Sequence, residues 1–132
     1  MALFTKSILS ERESSDGVRI SVMSRHTLSD GVTPDPRITF DKYEEHLVIL
    51  SPRPKFLGDY YKRGLPWEEF ELRYCNQLRH PDLIPVVQSL AIRASNQDIT
   101  LLCIEEVATH CHRRLLAEEC LVYEPILKIE HR

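Results

Sequence analysis

The sequence predicts an α/β fold: a single-domain layered sandwich with a mainly parallel sheet flanked by helices. Three observations carry this. Ile99–Cys103 (ITLLC) is a near-continuous apolar run, the mark of a strand covered on both faces. Strand-like stretches are separated by helical ones, as parallel crossovers require. Trp67, Phe70, Tyr74 and Leu78 recur at helical spacing and define one buried helix face.

The elements follow in order. Ala2 to Leu9 is apolar-rich and reads as a first strand, with Ser10 to Gly17 a polar turn. Val18 to Met23 (VRISVM) reads as a second strand that ends at Ser24-Arg25-His26. Thr27 to Arg37 carries a glycine and two prolines and reads as a loop. Phe40 to His46 fits a short helical turn, and Leu47–Leu50 (LVIL) fits a short strand ended by Pro52. Pro54 to Tyr61 fits either a helix or an irregular segment. Pro66 to Leu78 is a clearer helix, because Pro66 suits the first turn and Glu68 and Glu69 suit its dipole. His80-Pro81 breaks it. Asp82 to Ala94 predicts another helix, burying Leu83, Val86, Val87, Leu90 and Ala91. A last helix is expected over Thr109 to Glu119, and a last strand within Leu121 to Ile129. No repeat, low-complexity segment or linker divides the chain, so one domain spans 1–132.

Composition sets the bounds. The chain has 132 residues, enough for one domain with a real core. A net charge of −3 gives no overall drive toward nucleic acid or an anionic membrane. Lys55, Lys62 and Arg63 surround Tyr60 and Tyr61, but no basic stripe continues from them, and nucleic acid is not the expected partner. No apolar run approaches the roughly 20 residues of a membrane span. The first residues lack the apolar segment of a secretory signal. The four cysteines, Cys75, Cys103, Cys111 and Cys120, are therefore expected as free thiols in a reducing cytoplasm.

Chemistry concentrates in Leu101–Cys120, LLCIEEVATHCHRRLLAEEC, at a strand-to-helix turn. In parallel α/β sheets ligands bind beyond the carboxyl ends of the strands. Thr109 is the expected N-cap, which places Cys111 in the first helical turn. There the free N–H groups, the dipole and His110, His112, Arg113 and Arg114 would stabilise a thiolate. Cys111 is thus a candidate nucleophile; the plainer reading is a small packing residue. Cys103, ending an apolar strand, reads more readily as a core thiol. Glu105 is a candidate general acid/base or a partner for Arg113. His112 is a candidate for proton transfer near neutral pH. Arg113 and the strand-end Arg25 offer fork-shaped donors to an anion such as a phosphate. Arg114 and Glu118, four apart, read as a plain helical pair.

No metal is expected. The sequence has no C-x-x-C pair and no H-E-x-x-H, and consecutive helical residues diverge by about 100°, so His110, Cys111 and His112 do not converge on one ion. Cys103, Cys111 and one histidine would be the only start of such a site. No glycine-rich phosphate loop, G-x-G-x-x-G or G-x-S-x-G is present. The sequence names no cofactor and leaves the oligomeric state open.

The Cys-x-Glu of Cys103 and Glu105, followed by Cys111-His112-Arg113 and the apolar Leu115-Leu116-Ala117, resembles the family named domain of unknown function 488. The helix WEEFELRY (Trp67–Tyr74) and the strand end SVMSR (Ser21–Arg25) extend the resemblance over most of the chain, from Leu3 to about Cys120. Glu106 stands where many members carry lysine. Ser24 replaces an aspartate of one branch, and HTLSDGVTPDP replaces that branch's following proline- and tryptophan-containing loop. The resemblance implies a compact α/β domain with Arg25, Glu105, Cys111, His112 and Arg113 gathered at one pocket, and no settled reaction.

Three functions fit these residues. The first is a small enzyme that binds an anionic ligand, such as a nucleotide, and uses acid/base or thiol chemistry. The second is a binding module that holds a nucleotide or other small anionic ligand without turning it over. The third is a structural or partner-binding domain in which the motif is a polar network.

Overall fold

A computed structural model describes residues 1–132 and shows one α/β domain. Five parallel strands, β1 (Ala2–Ser7), β2 (Val18–Ser21), β3 (Glu45–His46), β4 (Ile99–Cys103) and β5 (Lys128–His131), form one sheet in the order β3-β2-β4-β1-β5. Four helices pack with it: α1 (Pro54–Arg63), α2 (Trp67–Leu78), α3 (Ile84–Asn96) and α4 (His112–Tyr123). No helix is long and apolar enough to cross a membrane.

The strand order explains how the sheet is covered. The chain moves one way from β1 to β2 to β3, and the opposite way from β3 to β4 to β5. Parallel crossovers keep one hand, so the two directions place their connections on opposite faces. The helical connections build the core on one face. Leu3, Ile20, Ile99 and Leu101 from the sheet join Phe70, Tyr74, Leu90, Leu116 and others from α1–α4 in one apolar cluster. The register Leu3↔Ile99 and Ile20↔Leu101 puts these strand residues on the same face.

The loop connections cover the other face with charge. Asp16 is fully buried and receives Lys6 at 3.0 Å, Arg19 at 2.8 Å and Arg132 at 3.3 Å. Thr100 donates its hydroxyl to the Asp16 carbonyl, and Arg19 Nε donates to the Lys42 carbonyl. Gly17 makes this turn sterically feasible. Its φ is +64°, and an added Cβ would lie 2.0 Å from the Asp98 carbonyl oxygen.

The middle strand, β4, pairs with β1 in the register Ser7↔Cys103 and with β2 in the register Ser21↔Leu102. The chain leaves β2 toward β3 on one side and β4 toward β5 on the other, so a crevice opens between the carboxyl ends of β2 and β4. This is the topological switch point at which such sheets bind ligands.

Several expected boundaries move. Leu47–Leu50 is not a strand: Val48–Leu50 is a short 3-10 turn, and the third strand is Glu45–His46 just before it. The expected helical turn before it is present at Phe40–Lys42. Pro54–Arg63 is helical, with Pro54 at the start and Gly64 (φ +74°) closing it. The last helix begins at His112, with Cys111 and not Thr109 as N-cap, because Ala108–Cys111 forms its own turn through a 3.1 Å backbone hydrogen bond. It runs on to Tyr123 and stops ahead of Pro125, leaving the last strand to Lys128–His131.

Candidate functional site

The site is built where β4 hands over to α4. Cys103, the last residue of β4, projects from the helix-covered face toward the start of α4. Cys111 has extended backbone angles (φ −137°, ψ 140°), while the next residue is already helical. That change of conformation lets neighbouring side chains converge where two helical residues would diverge. The donor atoms of Cys103, Cys111 and His112 lie within 4.8 Å of one another, and all three residues are buried.

His112 spans the switch-point crevice. Its Nε2 lies 2.8 Å from the Val22 carbonyl just past β2. A carbonyl only accepts, so Nε2 carries the hydrogen. In the neutral ring Nδ1 then presents its lone pair to Cys103 Sγ, 3.7 Å away. Tyr74 meets the imidazole edge-on at 5.5 Å and donates its hydroxyl to the Leu50 carbonyl, which fixes the ring from the side.

Arg113 is fully buried and locks the loop. Its Nη1 donates to the Glu105 carbonyl at 2.6 Å and to Cys111 Sγ at 3.3 Å, and its Nη2 donates to the Glu106 carbonyl at 3.4 Å. Arg113 Nε is the only buried side-chain nitrogen or oxygen without a partner. The expected pairing of Arg113 with the Glu105 carboxylate is absent, because Arg113 takes the backbone of that residue. The carboxylate instead accepts the Tyr61 hydroxyl at 2.6 Å. Arg114 pairs with Glu118 at 3.0 Å as expected, and also with Glu71 at 3.3 Å.

The two thiols are driven apart in acidity. Cys103 is held below the ordinary thiol value by the Cys111 S–H. Burial opposes this, but the amides of Glu105 and Ile104 and the Arg113 charge reinforce it. Cys111 is pushed well above that value, first by donating to Cys103 and then by burial and the Cys103 charge. The sequence made Cys111, in the first helical turn, the candidate for an activated thiolate. The structure puts Cys111 at the N-cap, only 2 % exposed, with the more acidic thiol at Cys103.

Cys103, Cys111 and His112 are also the trio from which a metal site would start. Arg113, donating to Cys111 Sγ, brings a fixed positive charge against the sulfur that would have to bind the ion, which weakens that use of the trio.

Beside the cluster lies a cleft of about 1150 Å³. Ile104, the residue after Cys103, lines it, as does Tyr61. Arg25, Arg53, Lys62 and Arg63 supply positive charge to its wall, with Asp82 as the acidic residue among its lining. Arg25 does not join the buried cluster. It is exposed and its guanidinium rests on the Gly31 carbonyl at 3.5 Å. His110 also lies outside the cluster: it is exposed and stacks on Trp67 at 4.9 Å. Sequence reasoning read Tyr74 as part of a buried helix face, which it is, and missed the site contacts of Tyr61, Arg53 and the Val22 carbonyl. The only trace was the Tyr60-Tyr61-Lys62-Arg63 string, where aromatic and basic residues crowd one helix end.

No curated protein and no solved structure matches the chain. A family model described as the active DUF488-N3 subclade matches residues 3–123, and the chain therefore belongs to that family, DUF488-N3a.

Proposed function

We propose that this chain is a thiol-dependent enzyme acting on a small anionic substrate of about nucleotide size. Cys103 is the attacking thiolate and His112 Nδ1 takes its proton. Cys111 donates its S–H to Cys103 and holds the charge there, which makes it a positioning residue. Arg113 fixes Cys111 and the loop. The substrate's anionic group rests against Arg25, Arg53, Lys62 and Arg63, and Glu105 accepts the hydroxyl of Tyr61 on the cleft wall. The cytoplasm, which keeps thiols reduced, suits this chemistry.

One observation carries the reading. Of four free cysteines, Cys103 is the one held below the ordinary thiol value, and it faces an imidazole of fixed tautomer at a strand end. Membership of a subclade described as active supports catalysis over simple binding. The cleft volume slightly exceeds that of most small-molecule sites, so a nucleotide fits.

A structural reading has support of its own. The cluster is closed, at most 5 % exposed, and ties α4 to β2 and β4. Alkylation rate against pH, read at each cysteine by mass spectrometry, separates the two. The enzyme reading expects Cys103 to label with a midpoint below about 8.5 and Cys111 to stay protected. A protected Cys103 across the neutral range would leave the network as a structural clasp.

A further inference from the structure

We propose that Cys103 and Cys111 form a two-thiol redox pair that reduces small hydroperoxides and closes to a Cys103–Cys111 disulfide. This rests on the reading of Cys103 as the reactive thiol, and it adds a second chemistry at the same sulfur.

The geometry favours closure. The two sulfurs lie within 4.8 Å, and a disulfide needs about 2.05 Å, so an approach of under about 3 Å suffices. Cys103 is anchored at the end of the middle strand, in register with Ser7 of β1. Cys111 is better placed to move. It lies outside the helix, its side chain makes no cap hydrogen bond, and Glu106, Val107, Thr109 and His110 ahead of it are exposed. No such partner exists for the other thiols: neither Cys75 nor Cys120 has a thiol, imidazole or guanidinium bonded to its sulfur.

Burial selects the oxidant. Cys103 is 3 % exposed, which favours a water-sized hydroperoxide over a bulky disulfide as its oxidant. The Cys103 thiolate attacks one peroxide oxygen and the O–O bond breaks. Cys103 becomes a sulfenic acid, and the departing oxygen leaves as hydroxide or alkoxide and takes up a proton. Cys111 then gives up its proton and attacks the Cys103 sulfur. The S–O bond breaks, water leaves and the S–S bond forms. Two electrons pass from the two thiols to the peroxide. The Arg113 Nη1, 3.3 Å from Cys111 Sγ, stabilises the second thiolate as it forms. Two equivalents of a thiol small enough to reach these sulfurs restore the pair by exchange and leave as their own disulfide.

The test treats the reduced, full-length protein with hydrogen peroxide and maps its peptides without reduction. No Lys or Arg lies between Ala94 and His112, so one tryptic fragment, Ala94–Arg113, carries both cysteines. It should lose two hydrogens, and cleavage after Glu105 or Glu106 should leave its halves joined, while Cys75 and Cys120 stay as thiols. Cys111→Ser should trap Cys103 as a sulfenic acid that dimedone labels, with Cys111→Ala as a second variant should serine disturb the fold. Cys103→Ser should slow peroxide consumption roughly tenfold or more. First oxidation at the half-buried Cys75, or a sulfenic acid at Cys103 that never closes in the native protein, would overturn the pair. So would closure seen only after treatment with a chelator, which would make the trio a metal site. If Cys103 labels fast in the alkylation profile yet never joins Cys111, only this inference fails. If Cys103 does not label, the underlying reading fails with it.

Discussion

Cys103 and Cys111 illustrate how one hydrogen bond separates two identical side chains. Both are buried, and burial alone would push both thiols up. The S–H of Cys111 tips the balance by giving Cys103 a donor at the price of its own acidity. Cys111→Ala removes that donor. The midpoint for Cys103 labelling should then rise by about one pH unit or more, read by alkylation across pH 6–10. An unchanged midpoint would mean that His112 and the amides set the acidity without Cys111. Arg113→Lys keeps the charge and loses the fork that grips two carbonyls and a sulfur. It should cost about 2 kcal/mol in denaturant unfolding. A variant as stable as the parent would show that the loop is held by other contacts.

At the scale of elements, the Tyr61–Glu105 hydrogen bond joins α1, on the cleft wall, to the loop after β4. Tyr61→Phe deletes that bond and removes no group that is itself hydrogen-bonded to either sulfur. Cys103 labelling should become a few-fold faster at every pH, with its midpoint unmoved, because access changes and acidity does not. A shifted midpoint would place Tyr61 in the electrostatics of the site. Elements also set how far the sequence could be read. The apolar β4 and the aromatic face of α2 were legible because each carries its period in its own residues. The start of α4 was misplaced by three residues, since Thr109 is the better cap by propensity and only the Ala108–Cys111 turn overrides it. The cluster was half legible for the same reason. Cys111 and His112 look divergent on an assumed helix, and converge only because Cys111 is extended. The edge strands β3 and β5 were blurred because they are short and largely solvent-facing, so pairing with β2 and β1 defines them more than composition does.

The whole molecule has an apolar face under four helices and an opposite face held by charge, and the two should fail differently in acid. Asp16 is buried among Lys6, Arg19 and Arg132. Burial raises its carboxyl, but the Glu13 amide and the Lys6 and Arg19 partners outweigh that and hold it below 3.8. Its stabilising effect is therefore complete above about pH 4 and is lost as pH falls through the lowered value. Asp16→Asn leaves two buried cations without their counter-ion, and should cost about 3–5 kcal/mol at pH 7. His26 acts earlier. Burial first, and then His46 stacked 4.1 Å away, lower it from 6.5 to about 4. His131, bonded to Thr5, is lowered in the same direction by burial. Between pH 6.5 and about 4 the unfolded chain takes a proton that folded His26 refuses, so stability falls as the medium acidifies across that window. The loss from His26 is on the order of 1 kcal/mol once solvent screening is allowed for. Urea unfolding at steps from pH 7 to pH 3 should thus show a shallow decline above pH 4 and a steep one below it. His26→Gln should flatten the first part and leave the second. Equal slopes in parent and variant from pH 6.5 to 4 would remove His26 from the account and leave His131 to explain the decline.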